Sequence, residues 1–186
     1  MTDELPLRAD AQRNRDMILA AAEEVFKERG AGASLDEVAR RAKVGIGTLY
    51  RRFPTREALL AAAFSERFLT LAAASRARDE ALGPLDALRT WLEELVVHST
   101  VYRGLASSLG TVLQTGSPGC QATTEEGQRL LRQAQEAGAV RPDVRFGDLV
   151  CVAAAASLSI EQAAPGAEAP RASHLVGLFL DGIGAR

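Results

Sequence analysis

Hydrophobic residues recur along most of the chain at spacings of three and four, the pattern of amphipathic helices. No stretch alternates with the two-residue period of a β-strand, and alanine and leucine outnumber β-branched and aromatic residues. Glycine, proline and capping residues divide the pattern into nine predicted helices. These cover residues 10–29, 35–42, 45–52, 55–81, 85–102, 105–114, 123–137, 145–163 and 171–183. The sequence therefore predicts an all-α protein.

The second and third predicted helices are too short to be stable alone, so they require a third helix to complete a small core. Ser34 and Glu37 have the spacing of a capping box at the start of the second helix. Ile18 and Phe26 lie on one face of the first helix and can pack against both short helices. This layout is that of a helix-turn-helix unit.

The chain divides after this unit. Pro54 ends the third helix, and Thr55 is a natural N-cap for the next one. We therefore assign residues 1–54 to a helix-turn-helix domain and residues 55–186 to a C-terminal helical bundle. One long helix over residues 55–81 is expected to join them, while residues 164–170 have the composition of a flexible connection.

The distribution of charge points to a nucleic-acid partner. The chain carries 22 basic and 24 acidic residues, a formal net charge of −2, which excludes a uniformly basic coat. Residues 40–56 nevertheless hold six basic side chains and no acidic one. Such a single-sign field calls for a negative partner, and DNA phosphate is the obvious one. The alternative is a basic face that is merely solvated.

Residues 44–59, Val-Gly-Ile-Gly-Thr-Leu-Tyr-Arg-Arg-Phe-Pro-Thr-Arg-Glu-Ala-Leu, resemble the DNA-reading signature of the tetracycline-repressor (TetR/AcrR-like) family. The likeness extends from about Arg13 to Leu60. It implies a homodimer, one recognition helix per subunit in the major groove, and a ligand pocket among the C-terminal helices. Lys43 departs from the pattern, because the family often has glycine in this turn.

The resemblance also assigns residues to DNA. Segment 45–50 is similar to the recognition helix, whose first residues face the bases or the edge of the groove. Tyr50, Arg52 and Arg56 fall at phosphate-contacting positions, and Ser34 at the place of a backbone-contacting hydroxyl. The expected DNA-binding set is Ser34, Lys43, Gly45, Ile46, Gly47, Thr48, Tyr50, Arg51, Arg52 and Arg56.

A candidate effector pocket lies in the C-terminal bundle. Trp91, His98 and Tyr102 share one flank of the fifth predicted helix, and large rings with polar tips suit a small organic ligand. The same spacing suits ordinary core packing. The expected lining set is Phe64, Phe68, Trp91, His98, Tyr102, Leu109, Val112 and Leu113. Its composition predicts a hydrophobic effector.

Enzymatic and metal chemistry have no sequence support. No P-loop, dinucleotide fingerprint or nucleophile elbow is present, and His98 has no potential metal ligand at a suitable spacing. Cys120 and Cys151 do not form a disulfide framework. We expect no enzyme activity, no cofactor and no metal.

A membrane location is not expected either. The longest strongly apolar, uncharged run is residues 149–160, which as a helix would span about 18 Å against the roughly 30 Å of a hydrocarbon core. The first ten residues lack the apolar run of a signal peptide. The sequence predicts a cytoplasmic protein.

These observations favour a transcriptional regulator, a repressor released from a palindromic operator by a small hydrophobic effector. The alternative is a helical scaffold or a small-molecule-binding protein without operator binding. We expect a homodimer held by the last two helices, which offer more apolar surface than one bundle needs. The residues expected at that seam are Leu149, Val152, Ala153, Ala156, Ile160, Leu175, Phe179 and Ile183.

Overall fold

The structure is a computed structural model that describes residues 4–78, 81–163 and 171–184, the first six of them by their backbone only. The predicted connection at residues 164–170 lies outside the described residues. Within them the protein is all-α, as predicted, and the only β-type pairing is an isolated bridge between Val140 and Gly184. The helices are α1 (Glu4–Arg29), α2 (Leu35–Arg41), α3 (Ile46–Arg52), α4 (Arg56–Ala63), α5 (Ser65–Ala77), α6 (Pro84–Ser99), α7 (Leu109–Leu113), α8 (Pro118–Glu136), α9 (Phe146–Glu161) and α10 (Ala172–Ile183).

The helix-turn-helix unit has the predicted core and cap. Ile18 and Phe26 of α1 are fully buried with Leu49 of α3. The Asp36 backbone N–H donates to Ser34 Oγ at 3.2 Å, which confirms Ser34 as the N-cap of α2. Glu37 does not complete the capping box, because its carboxylate turns to the Arg29 guanidinium at 3.0 Å.

The prediction of a single helix over residues 55–81 is wrong. The segment forms two helices, α4 and α5, whose axes are inclined by 51° to each other. They meet at Phe64, where the backbone N–H still bonds to the Leu60 carbonyl oxygen at 2.9 Å. This break raises the helix count from the expected nine to ten within the described part of the chain.

The bend has a tertiary cause, namely the first turn of α8. Ser117 Oγ donates to the Ala61 carbonyl oxygen at 3.2 Å, and the Gly119 N–H donates to Ser65 Oγ at 3.1 Å. Gly119 also packs directly on the Ser65 backbone, since an added Cβ would lie 2.2 Å from the Ser65 carbonyl oxygen. Insertion of another chain segment is a recognised cause of helix kinks.

Smaller differences follow from capping. The predicted loop at residues 116–119 ends earlier than expected, because Ser117 caps α8 and Pro118 occupies its first turn. The expected helix at 105–114 is a 3-10 turn, Ala106–Ser108, followed by the short α7. In addition, α1 begins at Glu4 rather than at residue 10.

A buried carboxylate joins α5 to α8. Glu126 is fully buried and accepts hydrogen bonds from Ser75 Oγ at 2.7 Å, Arg76 Nε at 3.0 Å and Arg129 Nη2 at 2.6 Å. Burial alone would raise the pKa of the Glu126 carboxyl, but the bonds from Arg129, Ser75 and Arg76 outweigh it and lower that pKa. The ionised form is therefore the one that holds the two helices together.

We predict that Glu126→Gln lowers the free energy of unfolding by about 2 kcal/mol at neutral pH. The two arginines keep partial access to solvent, which limits the penalty for losing their partner. Glu125→Gln is the matched control, since Glu125 is exposed and bonds only to Gln121 among the described residues. Denaturant titration measures both, and equal stabilities of the two variants would contradict the assignment.

The same carboxyl gives a pH signature. Its folded pKa is below its unfolded value of about 4.3, so its contribution is complete above that value and is lost as the pH falls through the folded pKa. The stability difference between the wild type and Glu126→Gln should therefore begin to narrow below about pH 4.3 and shrink further as the pH falls through the folded pKa. A constant difference from pH 7 to pH 3 would show that Glu126 acts only through its shape.

Candidate functional site

Helix α3 keeps most of its surface free. Leu49 is its one buried residue, while Ile46 and Tyr50 are exposed. Arg51 and Arg52 extend into solvent from its last turn. A seven-residue helix with this much unburied surface contributes little to the core. Its outer face is available to a partner.

Two glycines beside that face make no close internal contact at the position of a side chain. Gly45 is the N-cap of α3 with φ −68°, and Gly47 lies within the helix. An added Cβ at either position would meet nothing within 4 Å. Neither the backbone conformation nor internal packing requires glycine here. The missing side chains leave room for a molecule that approaches the backbone of α3 from outside.

The turn before α3 contains Lys43, which departs from the glycine that the resemblance leads one to expect. Lys43 has φ +56°, the one non-glycine residue with positive φ among the described residues. That conformation costs about 1 kcal/mol for a residue with a Cβ. The exposed ammonium group adds a positive charge next to α3, where it can reach an anion.

The six basic residues of segment 40–56 do not act alike. Arg41 turns along the surface towards α1 and donates to both oxygens of Glu28, at 2.7 and 2.9 Å. This bond to Glu28 raises the pKa of Arg41. Arg41 is therefore matched within the fold, which reduces the positive field that the sequence suggested.

The arginines of α3 are tethered but exposed. Arg51 Nη2 donates to Thr48 Oγ1 at 3.0 Å, and Arg52 Nη2 donates to the Ala11 carbonyl oxygen of α1 at 2.7 Å. Each guanidinium has five N–H donors, so these bonds leave several for a ligand. The tethers hold both cations beside α3.

Arg56 has a structural partner that the sequence did not reveal. Its Nη1 donates to the carbonyl oxygen of Ala31 at 2.9 Å and to that of Ala33. It thereby ties the start of α4 to the turn that precedes α2. Its phosphate contact remains a prediction. The whole expected DNA-binding set lies at the surface, exposed except for the half-buried Thr48 and Arg56.

The expected pocket residues, apart from His98, belong to one buried core, within which their aromatic rings make different pairings. Phe64 packs edge-on against Tyr102, with ring centroids 4.5 Å apart, and Phe68 lies 5.7 Å from Phe64. Trp91 pairs instead with Phe146, at a ring-centroid distance of 6.3 Å. All of the eight are buried except the half-buried His98.

A cavity of about 340 Å³ lies beside Phe146, between α7, α8 and α9. Leu113 is the one expected residue that lines it. No charged side chain is among the lining residues, which are Gly110, Leu113, Gln114, Thr124, Phe146, Gly147, Val150 and Cys151. Sequence reasoning missed this set because most of its members lie on faces without large rings.

Two unpartnered polar groups belong to this region. Thr124 Oγ1, on a residue that lines the cavity, is buried and has no hydrogen-bond partner among the described residues. The indole Nε1 of the fully buried Trp91, which packs on Phe146, is unpartnered as well. A buried polar group left without a partner costs about 1–3 kcal/mol. Buried polar groups in native proteins nearly always have a partner, so a bound water, ion or ligand is one explanation for such an exception.

His98 lies away from the cavity, in a surface cleft with Glu93, Glu94 and Val97. Burial, and then the charge of Arg67, lowers its pKa, although Glu94 opposes the shift. Neutral imidazole is therefore the form at neutral pH. No group of three side chains that could hold a metal ion occurs among the described residues.

A loop after α6 contacts both parts of the molecule. The Ala31 N–H, in the turn between α1 and α2, donates to the Arg103 carbonyl oxygen at 2.9 Å. The adjacent Gly104 N–H donates to Glu161 Oε2, at the end of α9, at 2.8 Å. Gly30 sits so close to Arg103 that an added Cβ would lie 2.5 Å from its carbonyl oxygen.

Part of the expected dimer seam is not available. Leu149, Ala153 and Ala156 are buried within the protomer, because α9 packs that side against its own bundle. The opposite side of α9 exposes Cys151, Ala155 and Ser159. On α10, Leu178 is 59% exposed, while Leu175, Phe179 and Ile183 are half-buried.

No single helix among the described residues is long and apolar enough to cross a membrane; the bent pair α4 and α5 passes that test by length and composition only.

Comparison with known proteins gives two family matches. Residues 18–63 match the model of bacterial regulatory proteins of the tetR family. Residues 83–185 match the C-terminal domain of SbtR-like transcriptional regulators. Together the two models cover both parts of the chain. No curated protein matches the sequence.

Solved structures give the same result. A TetR transcriptional regulator from Streptomyces coelicolor is 36% identical over 92% of this chain and 98% of its own, with a TM-score of 0.55. RolR, solved with resorcinol, is 21% identical over 96% of this chain and 91% of its own, with a TM-score of 0.71, and shows the fold. A tetR-family protein from Rhodococcus RHA1, 24% identical over 93% and 98% with a TM-score of 0.55, also shows the fold. The chain belongs to the TetR family of DNA-binding transcriptional regulators.

Proposed function

We propose that the protein is a homodimeric repressor that binds a palindromic operator through α3 and leaves it when a small, neutral, largely apolar effector binds. The observation that carries the DNA part is the pair Gly45 and Gly47, glycines that the fold does not need on the exposed side of a helix flanked by arginines. Residues 1–54 would bind DNA and residues 55–186 would bind the effector and the second subunit. A bacterial regulator meets its operator in the cytoplasm.

Selection of duplexes from a random-sequence library tests this function directly. A dimer with two recognition helices should enrich a palindrome whose half-sites are centred about 34 Å apart, or at a related spacing set by the helical repeat of DNA. A library that yields no enriched sequence would instead favour the alternative, a scaffold or small-molecule-binding protein without operator binding.

We predict that Gly47→Ala separates DNA binding from folding. Alanine within a helix stabilises it by about 0.5–1 kcal/mol relative to glycine, and the new Cβ meets no protein atom within 4 Å. The same Cβ would hold DNA away from the backbone, so affinity for the selected duplex should fall at least tenfold. Gly83→Ala, also in open space but in the C-terminal part, is the control. Wild-type affinity of Gly47→Ala would contradict a close approach.

The cavity beside Phe146 supports the effector part of the proposal. Its volume of about 340 Å³ is at the small end of ligand pockets and suits a molecule with one ring. Gln114 and Thr124 offer hydrogen bonds, and no lining residue is charged. A neutral aromatic or alicyclic compound with a hydroxyl or carbonyl group matches this lining. RolR, which has the same fold, was solved with resorcinol, a compound of this class.

The residues that the sequence predicts to line the pocket have different roles in this proposal. Leu113 lines the cavity. Trp91 does not line it, but its ring packs against Phe146, which does. We propose that Phe64, Phe68, Tyr102, Leu109 and Val112 form the packed wall between the cavity and the DNA-binding part. His98 does not belong to this wall, since it lies in a separate surface cleft.

We predict that Thr124→Val weakens effector binding without harming the fold. Thr124 Oγ1 has no protein partner, so the isosteric valine should leave the melting temperature unchanged or raised. Affinity for phenol or resorcinol, used as probes, should fall about tenfold. The fluorescence of Trp91, the only tryptophan, reports binding. Equal affinities in the wild type and the variant would contradict the site.

Filling the cavity provides a second variant for the same site. Gly147 lines it, and an added Cβ there meets nothing within 4 Å. Gly147→Leu should therefore abolish probe binding while DNA affinity is retained. Continued release of DNA by phenols in this variant would place the effector elsewhere.

The homodimer is supported by the exposed faces of the last two helices. Cys151, Ala155 and Ser159 make α9 narrow enough for close approach, and Leu178 of α10 leaves a large apolar side chain in solvent. A two-fold axis would pair these faces with their own copies. This set replaces the residues of the expected seam that are buried.

We predict that Leu178→Asp yields a monomer. Leu178 is 59% exposed, so a carboxylate there should not unfold the protomer, whereas it would be desolvated in a dimer. Sedimentation at micromolar concentration should show a wild-type dimer and a variant monomer with an unchanged melting temperature. Leu69→Asp, at an exposed leucine of α5, should remain dimeric. A dimeric Leu178→Asp would refute this interface.

A further inference from the structure

A cleft of about 190 Å³ separates the first half of α1 from α3. Ala11, Asn14 and Ile18 form its α1 side, and Thr48, Arg51 and Arg52 form its α3 side. Two guanidinium groups thus lie next to a hydroxyl and a carboxamide, and no carboxylate lines the space. The cleft is open to solvent along the exposed arginines.

Asn14 is a polar residue on a face of α1 that is otherwise apolar. It lies four positions before Ile18, so both belong to the face of α1 that turns towards the core. From Ile18 onward this face is apolar and buried, with Ala22 and Val25 fully enclosed. At Asn14 the stripe becomes polar. The side chain is half-buried, and no hydrogen bond to it occurs among the described residues.

The donors that remain in the cleft point to an anion with several acceptor oxygens. Thr48 Oγ1 accepts from Arg51, which leaves its own O–H free to donate. Arg52 uses one N–H on the Ala11 carbonyl oxygen, and Asn14 keeps both N–H groups of its amide. Hydroxyl, amide and guanidinium groups are the usual partners of DNA phosphate oxygens.

We propose that this cleft holds one phosphate of the bound duplex and that Asn14 is a DNA-backbone contact made by α1. The assignment rests on the proposed operator binding by α3. Thr48, Arg51 and Arg52 belong to that helix, so a duplex that receives α3 in its major groove brings a phosphate to the same side chains. A contact from α1 fixes the angle at which the recognition helix lies in the groove.

Asn14 should have a different salt signature from its neighbours. The slope of log K against log salt is negative. Loss of a phosphate-bound arginine makes it shallower by about 0.9 per contact, or by about 1.8 in a symmetric dimer. Asn14 is neutral and releases no counterion, so its loss should reduce affinity at an unchanged slope. Because a phosphate carries no base identity, selected and unrelated duplexes should lose the same factor.

The test compares Asn14→Ala, Asn14→Asp and Arg51→Ala with a control, Gln12→Ala. Gln12 is an exposed residue of α1 whose Nε2 bonds to Asp16 at 2.8 Å, outside the cleft. Binding of a 30-base-pair selected duplex and an unrelated one is measured by anisotropy at several salt concentrations. Melting temperatures are measured in parallel.

We expect Asn14→Ala to lose five- to tenfold in affinity for both duplexes at an unchanged slope, and Asn14→Asp to lose more than fiftyfold. Arg51→Ala should make the salt dependence of binding shallower, and Gln12→Ala should bind like the wild type. Wild-type binding by Asn14→Ala would overturn the proposal, as would a loss confined to the selected duplex or matched by a lower melting temperature. Saturable binding of inorganic phosphate at micromolar concentration would assign the cleft to a free anion instead.

The outcome also distinguishes this inference from the function on which it rests. If the wild-type protein binds neither duplex, the proposed operator binding fails. If the wild type binds and Asn14→Ala binds equally well, only the contact from α1 is rejected.

Discussion

The insertion of the first turn of α8 between α4 and α5 is the constraint on which the rest of the structure depends. Gly119 lies against the Ser65 backbone so closely that no other residue fits, and Ser117 bonds to the last turn of α4. The bend at Phe64 therefore cannot straighten without moving α8. Because α4 begins at the DNA-binding part and α8 lines the cavity proposed to bind the effector, this contact links the two regions directly.

A second contact restricts the movement of the DNA-binding part relative to the C-terminal helices. The loop at Arg103 and Gly104 bonds to Ala31, before α2, and to Glu161, at the end of α9. The DNA-binding part is thus held both by α4 and by this loop, and it should move as a body with α9, one of the two helices proposed to form the dimer face. A ligand that lowers DNA affinity 100-fold needs about 2.7 kcal/mol of coupling. That is the scale of a few hydrogen bonds at such contacts.

The sequence predicts best what is encoded locally. The Ser34 cap, the helices of the helix-turn-helix unit and the exposed face of α3 follow from spacing within a few residues. The bend at Phe64 does not, because residues 55–81 have good helix propensity throughout and the cause lies more than 50 residues away, at Gly119. For the same reason the stripe containing Trp91 predicts an apolar face but cannot say whether a cavity or another helix covers it. The same holds for α9, whose apolar side could be covered by a second subunit or by the protomer itself; the sequence predicts the first, and the structure shows the second for Leu149, Ala153 and Ala156.

The residues proposed to bind DNA or the effector lie at positions where the residue present is less stabilising for the folded protein than an alternative would be. Gly47 weakens a helix, Lys43 adopts a left-handed conformation, and Thr124 buries a hydroxyl without a partner. Asn14 likewise interrupts an apolar stripe. Each could be replaced by a residue that stabilises the isolated protein, and locally unfavourable choices are expected at sites that serve a ligand. Because these residues lie on α1, α3, α8 and the turn before α3, the disadvantage is concentrated at the DNA interface and the cavity. The buried core that compensates for it draws on all ten helices of the part of the chain that the structure describes.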